Sequence, residues 1–250
     1  MKTKIWAHRG ASAAAPENTM AAFDLAIRQG ADGIELDVHL TADEAVVVTH
    51  DESCRRVTGV EGLVSQMTLV ELRRLDFGSI MPGFDRQQIP TLAEVFDLIR
   101  PTGMMINIEL KNSVNPYPGL EKAVLDLAVS HKMTEQICFS SFNHYSLVLA
   151  EQLIRERNLA IPCGILYSCG LYEPWHYAHS VGISAIHPHY ANLRIPGLVP
   201  DCHAAGIQIN AWTIDHPDHL RLALALGVDA IITNVPDLAI SLSRSAATGA

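Results

Sequence analysis

The 250-residue chain contains no apolar run approaching the roughly 18 to 20 residues that a membrane-spanning helix needs. Positive charge is not in excess either. Eighteen Lys and Arg face 27 Asp and Glu, and the formal net charge of −9 argues against a nucleic-acid partner. The five cysteines, Cys54, Cys138, Cys163, Cys169 and Cys202, are odd in number and form no C-x-x-C pair. That pattern suits free thiols in a reducing compartment better than a disulfide framework or a zinc site. MKTKIWAHRG enters an expected strand almost at once, with no room for a signal peptide. No G-x-G-x-x-G follows that strand, which weakens a doubly wound, dinucleotide-binding reading. A soluble cytoplasmic globular protein is the expectation, and hydrophobic residues at 48% are enough for a sizeable core.

What is present is a rhythm. Candidate strands near 4–8, 33–39, 45–50, 104–111, 136–142, 161–167, 184–188, 207–214 and 230–234 alternate with helical patterns. Asn18 is the expected cap of a first helix ending at Gly30, and further helices read over 91–100, 119–132, 145–158 and 218–227. Repeated β-α order at this length predicts an α/β fold, a (β/α)8 TIM-type barrel as one domain over 1–250. Nine strands exceed eight barrel positions. Between Val38 and Ala45 there is no space for a helical crossover, so Thr41 to Glu44 reads as a hairpin loop. A simple turn there pairs residues whose numbers sum to 85, setting Glu35 opposite His50 and Asp37 opposite Val48.

Barrel strands are covered on both sides and usually read as unbroken Val, Ile and Leu. Two strands here break that rule. Ile34, Leu36 and Val38 alternate with Glu35, Asp37 and His39, and Ile106, Ile108 and Leu110 alternate with Asn107, Glu109 and Lys111. A third places Gln208, Asn210 and Trp212 on one face. The apolar sets belong against helices, and the charged sets at the barrel mouth. At an effective dielectric near 20, two carboxylates 4 Å apart repel by roughly 4 kcal/mol. Convergence of Glu35, Asp37 and Glu109 therefore asks for neutralisation, and oxygen ligands suit one hard divalent cation, Mg²⁺ or Ca²⁺. His8, Arg9, His50 and Lys111 supply a cationic, proton-donating rim. Metal and rim together fit an anionic substrate, of which phosphate is the natural candidate, with two histidines dividing acid and base work.

AHRGASAAAPENT, ELDVHLT, VVVTHD, IPTLAEVF, NIELK, SSF, AWTID and ITNVPD follow in order over 7–237. In this the chain resembles the glycerophosphodiester phosphodiesterases. The resemblance implies a TIM-type barrel hydrolysing deacylated phospholipids to sn-glycerol 3-phosphate and an alcohol. It implies metal ligation by Glu35, Asp37 and Glu109, and catalysis by His8 and His50. Arg9 and Lys111 match phosphate-engaging positions, and Phe142 and Trp212 match aromatic positions lining the pocket. Residues 51–90 interrupt the β-α rhythm where that family carries an insertion, after the third strand, and the resemblance implies a small capping subdomain at the mouth. One short helix is expected within it, LVELRRL capped by Thr68.

Other residues receive lesser readings. Glu17 is expected to orient Arg9 or cap the first helix. Asn234, where some relatives carry Asp, is given no functional role. His187 and His189 form an H-x-H pair with the spacing of a second metal site. Two functions compete with this one: a lysophospholipid or sphingomyelin-type phosphodiesterase, and a phosphodiester-binding barrel without turnover. The acidic balance, with no basic amphipathic helix, opposes the first; retention of both His8 and His50 opposes the second. A small-molecule substrate is expected, without nucleic acid or stable membrane association.

Overall fold

Apolar alternation becomes eight parallel strands in the structure, a computed structural model that describes residues 2–248. The strands are β1 (Lys4–His8), β2 (Gly33–Leu40), β3 (Val46–Val48), β4 (Met105–Leu110), β5 (Ile137–Ser141), β6 (Cys163–Tyr167), β7 (Ala185–Pro188), β8 (Gln208–Ala211) and β9 (Ala230–Thr233). β1 pairs in parallel with both β2 and β9, which closes the ring and excludes an open sheet. β3 alone runs antiparallel, beside β2.

Helices α1 (Met20–Gln29), α2 (Arg55–Thr58), α3 (Leu69–Leu72), α4 (Leu92–Ile99) and α5 (Leu120–Ser130) fall in the first half. They are followed by α6 (His144–Glu156), α7 (Pro174–Ser180), α8 (Leu198–Ala204), α9 (Pro217–Leu226) and α10 (Pro236–Thr248). None of the helices among the described residues is long and apolar enough to cross a membrane.

Strand parity sorts the core into two layers. Ile34, Leu36, Val38, Ile106 and Ile108 belong to the large cluster that packs on the helices. Inside the ring, Trp6, Cys138, Ala230 and Ile232 form a small apolar floor against Met105 and Trp212. The polar residues of the same strands stand on the inner side, as the alternation predicts.

Two local expectations are corrected. The cap of α1 is Thr19, whose hydroxyl accepts from the Ala22 amide, and not Asn18, which lies in the left-handed region at φ +53°. The hairpin pairs Val38 with Val48, His39 with Val47 and Leu40 with Val46, so paired numbers sum to 86 rather than 85. Its loop closes between Thr41 and Ala45, with Glu44 at φ +62°. A three-residue loop ending in a left-handed residue is a favoured hairpin connection, and its odd length shifts the register by one.

The segment 51–90 contains two helices, α2 and α3, plus a 3-10 turn over Val64–Gln66, where one helix is expected from sequence. Thr68 caps α3 in a reciprocal capping box with Glu71. The segment has an apolar cluster of its own, Cys54, Val57, Val64, Leu72, Phe77 and Ile89, seated on Val47 of β3.

Candidate active site

The site begins where β1 ends. Arg9 and Gly10 turn the chain through two consecutive left-handed conformations, φ +56° and +80°. A Cβ at Gly10 would sit 2.6 Å from the Ala22 carbonyl carbon, so only glycine fits. The turn aims the Arg9 amide at Glu35, donating to Oε2 at 3.0 Å, and leaves His8 Nε2 3.8 Å from that same oxygen.

β2 and β4 pair Glu35 with Asn107 and Asp37 with Glu109. Glu35, Asp37 and Glu109 each offer an oxygen within 4.8 Å of the others, and all three are buried. They are the only group of three or more potential metal ligands among the described residues. Burial and the Asp37 and Glu109 charges push the Glu35 carboxyl well above its ordinary range. Burial and Asp37 push Glu109 up to about 7, although Lys111 opposes the shift. Asp37 moves the other way: burial alone would raise it, but Arg9, His50, Lys111 and an Asn18 hydrogen bond hold it down. Asp37 Oδ1 is buried without a hydrogen-bond partner. An oxygen-only trio carrying such an orphan suits a hard divalent cation.

Cations ring the trio. Lys111 Nζ lies 2.9 Å from Glu109 Oε1, 3.8 Å from Asp37 Oδ1 and 3.2 Å from His50 Nε2. Arg9 Nε stands 3.5 Å from Asp37 Oδ2, while its Nη1 donates to Glu17 at 3.0 Å. Glu17 thus orients Arg9 and does not cap α1.

His50 reaches the mouth from β3, but not by facing Glu35 as the expected register had it. The strand ends at Val48, Thr49 donates its amide to the Asp37 carbonyl, and the chain then bends. His50 Nδ1 lies 2.6 Å from Asp51 Oδ1, and Arg56 of the 51–90 segment grips Asp51 Oδ2 at 2.6 Å and Glu17 at 2.7 and 2.8 Å. The His50 carbonyl is met by Nε2 of buried His39 at 3.1 Å, whose Nδ1 lies 3.0 Å from the Tyr117 hydroxyl.

His8, Arg9, Glu35, His50, Glu109, Phe142 and Trp212 line one cleft. Phe142 and Trp212 meet edge to face at 5.4 Å, and Trp212 Nε1 donates to the His187 carbonyl at 2.7 Å. The residues expected to carry catalysis, metal ligation and substrate contact, His8, His50, Arg9, Lys111, Phe142, Trp212, Glu35, Asp37 and Glu109, are therefore at or beside this mouth. Asn18, His39, Asp51, Arg56 and Asn234 are additions. Asn18 donates to Asp37 Oδ2 at 2.8 Å, and Asn234 Oδ1 lies 2.7 Å from His8 Nδ1, so Asn234 is not a bystander. PENT and HD flag Asn18 and Asp51 by adjacency; nothing local flags Asn234.

The H-x-H pair splits. His187 is buried in the barrel, 2.9 Å from Asn210, and burial lowers it to about 3, which keeps it neutral. His189 lies beyond β7, where its Nδ1 accepts from the Ala191 amide as a helix cap.

Comparison with known proteins identifies the family. The model of the glycerophosphoryl diester phosphodiesterase family matches residues 8–238. A glycerophosphodiester phosphodiesterase of Caldanaerobacter subterraneus subsp. tengcongensis is 43% identical over 245 residues, 98% of this chain and 99% of that protein. One from Bacillus altitudinis is 38% identical over 243 residues, 96% and 98% of the two chains. Among solved structures, an Oleispira antarctica phosphodiesterase in complex with the product sn-glycerol-3-phosphate is 30% identical, with a TM-score of 0.84 and 97% of each chain covered. Barrel, acidic trio and matched sequence converge, and the chain belongs to the glycerophosphoryl diester phosphodiesterase family, as an enzyme of that kind.

Proposed function

We propose that the protein hydrolyses glycerophosphodiesters to sn-glycerol 3-phosphate and an alcohol, with one divalent cation, Mg²⁺ or Ca²⁺, held by Glu35, Asp37 and Glu109. The observation that carries this reading is the meeting, at one mouth, of that trio with two histidines and two cations. When bound, such an ion polarises phosphoryl oxygens and offsets developing charge.

This chain's own residues do the rest. Arg9 and Lys111 receive the phosphate oxygens, their positive charges no longer tied to the trio alone. Phe142 and Trp212 form an apolar wall beside the reacting centre. His8 and His50 exchange protons with the attacking hydroxyl, from water or the neighbouring glycerol, and with the departing alcohol oxygen. The segment 51–90 caps the mouth through Arg56, which ties it to Glu17. The five cysteines are all free thiols, in keeping with action in the cytoplasm, and the substrate is a small molecule rather than nucleic acid or a membrane.

The test is release of sn-glycerol 3-phosphate from glycerophosphocholine by EDTA-stripped protein, then with Mg²⁺ or Ca²⁺ restored. Activity that vanishes and returns with one ion supports the reading and names the metal. A folded, metal-loaded protein inactive on every glycerophosphodiester overturns it.

A further inference from the structure

His8 is held from behind by a chain of groups that the reaction itself does not consume. Its Nδ1 lies 2.7 Å from Asn234 Oδ1. The other end of that amide, Nδ2, donates to Asp215 Oδ2 at 2.6 Å. Asp215 Oδ1 accepts from the Asn234 amide at 2.8 Å and the Thr233 hydroxyl at 3.0 Å. Ser12 Oγ lies 2.7 Å from both Asn234 Oδ1 and the His8 carbonyl, two acceptors for its one proton.

The donor and acceptor inventory fixes the direction of this chain. A carboxylate only accepts, so the NH2 end of Asn234 faces Asp215. The reverse orientation would press an amide oxygen against a carboxylate oxygen at 2.6 Å with no proton between them. The oxygen end therefore faces His8, and an amide oxygen only accepts. The proton between them belongs to the imidazole, and in a neutral ring that decides where the lone pair lies.

We infer that Asp215 and Asn234 are positioning residues that hold His8 as its Nδ1–H tautomer, with Nε2 turned toward Glu35 as a proton acceptor. Resting on the hydrolase reading, this gives His8 the base role. The proton of the attacking O–H passes to His8 Nε2 as that oxygen bonds to phosphorus. The bond from phosphorus to the leaving oxygen breaks, and that oxygen takes a proton delivered from the other histidine of the mouth, His50.

The test is spectroscopic and needs no substrate. Long-range ¹H–¹⁵N spectra of the full chain, labelled at histidine, are recorded with and without Mg²⁺, and His8 is assigned with a His8→Gln variant. The expected result is a protonated Nδ1 and an unprotonated Nε2 in the wild type. Asn234→Leu is expected to mix the tautomers and lower kcat by about 10- to 100-fold at nearly constant KM. A wild-type His8 protonated at Nε2 overturns the inference, whether or not the leucine variant folds. So does an Asn234→Leu protein with one Nδ1–H tautomer and unchanged kcat. Because the spectrum is read without turnover, failure to hydrolyse glycerophosphodiesters is a separate result and leaves the tautomer assignment intact.

Discussion

His39 holds the backbone of His50: a buried imidazole Nε2 lies 3.1 Å from the carbonyl oxygen of a residue eleven positions later. The other nitrogen of the ring engages the Tyr117 hydroxyl, so His39 fixes where β3 releases its chain into the mouth. Replacing His39 with Leu strands both partners. The expected cost is about 1 to 3 kcal/mol in urea unfolding, with kcat down roughly tenfold through displacement of His50. Unchanged kcat with lowered stability would confine His39 to a structural role.

His8→Ala and His50→Ala are each expected to lower turnover by about 10² to 10⁴ with circular dichroism unchanged. Retention by either variant of more than about a tenth of wild-type turnover contradicts its acid-base role.

Removing metal should expose the crowding of the trio as a pH effect on stability. Burial and Asp37 hold Glu109 at about 7, against 4.5 ordinarily. The folded protein thus keeps a proton that the unfolded chain gives up. The associated stability is complete below about pH 4.5 and is lost as pH rises toward 7, at most on the order of 3 kcal/mol. EDTA-treated protein should melt lower at pH 7.5 than at pH 5. Mg²⁺ or Ca²⁺ should raise the melting temperature most at the higher pH, and Glu109→Gln should flatten the dependence. A stripped wild type and a Glu109→Gln variant with identical pH profiles would remove Glu109 as the cause.

Arg56 offers the converse case. It grips Asp51 and Glu17 at 2.6 to 2.8 Å, yet its side chain is 44% exposed. Solvent screening keeps such pairs to about 1 kcal/mol or less, so Arg56→Ala should barely move the melting temperature. Its effect should appear in kcat/KM, lowered by roughly tenfold, because Asp51 and Glu17 stand behind His50 and Arg9. A melting temperature that collapses while kcat/KM holds would reverse that ranking.

The trio was legible because strand period is two: a run such as Ile34-Glu35-Leu36-Asp37 declares its inner face without tertiary knowledge. Lys111, Arg9 and His8 followed from strand ends, and the ring from the β-α rhythm. Other features lay beyond local pattern. Asn18 and Asp37 meet across 19 residues, through the β1-α1-β2 unit, and His8 and Asn234 across 226, through closure of the ring. The hairpin register failed on one residue, Glu44, whose left-handed backbone is uncommon outside glycine, asparagine and aspartate and carries no sequence signal. His187 misled for the opposite reason. Spacing suggested a ligand, whereas its surroundings are a tight interior that requires Gly164, where a Cβ would fall 2.1 Å from the His187 ring.

β1 and β3 share one edge of β2. β1 climbs that edge as far as His8, paired with Glu35, and β3 descends it from Leu40 to Val38, with Thr49 bonded to Asp37 below. His8 and His50 thus arrive head-on, from opposite chain directions, at a gap no wider than a residue or two of β2. The distance between them is metered by the length of the Thr41–Ala45 turn. One residue more or fewer there would slide β3 by up to about 3.4 Å and exchange its faces. The spacing of the two histidines is therefore written in a loop length, in residues that handle no proton themselves.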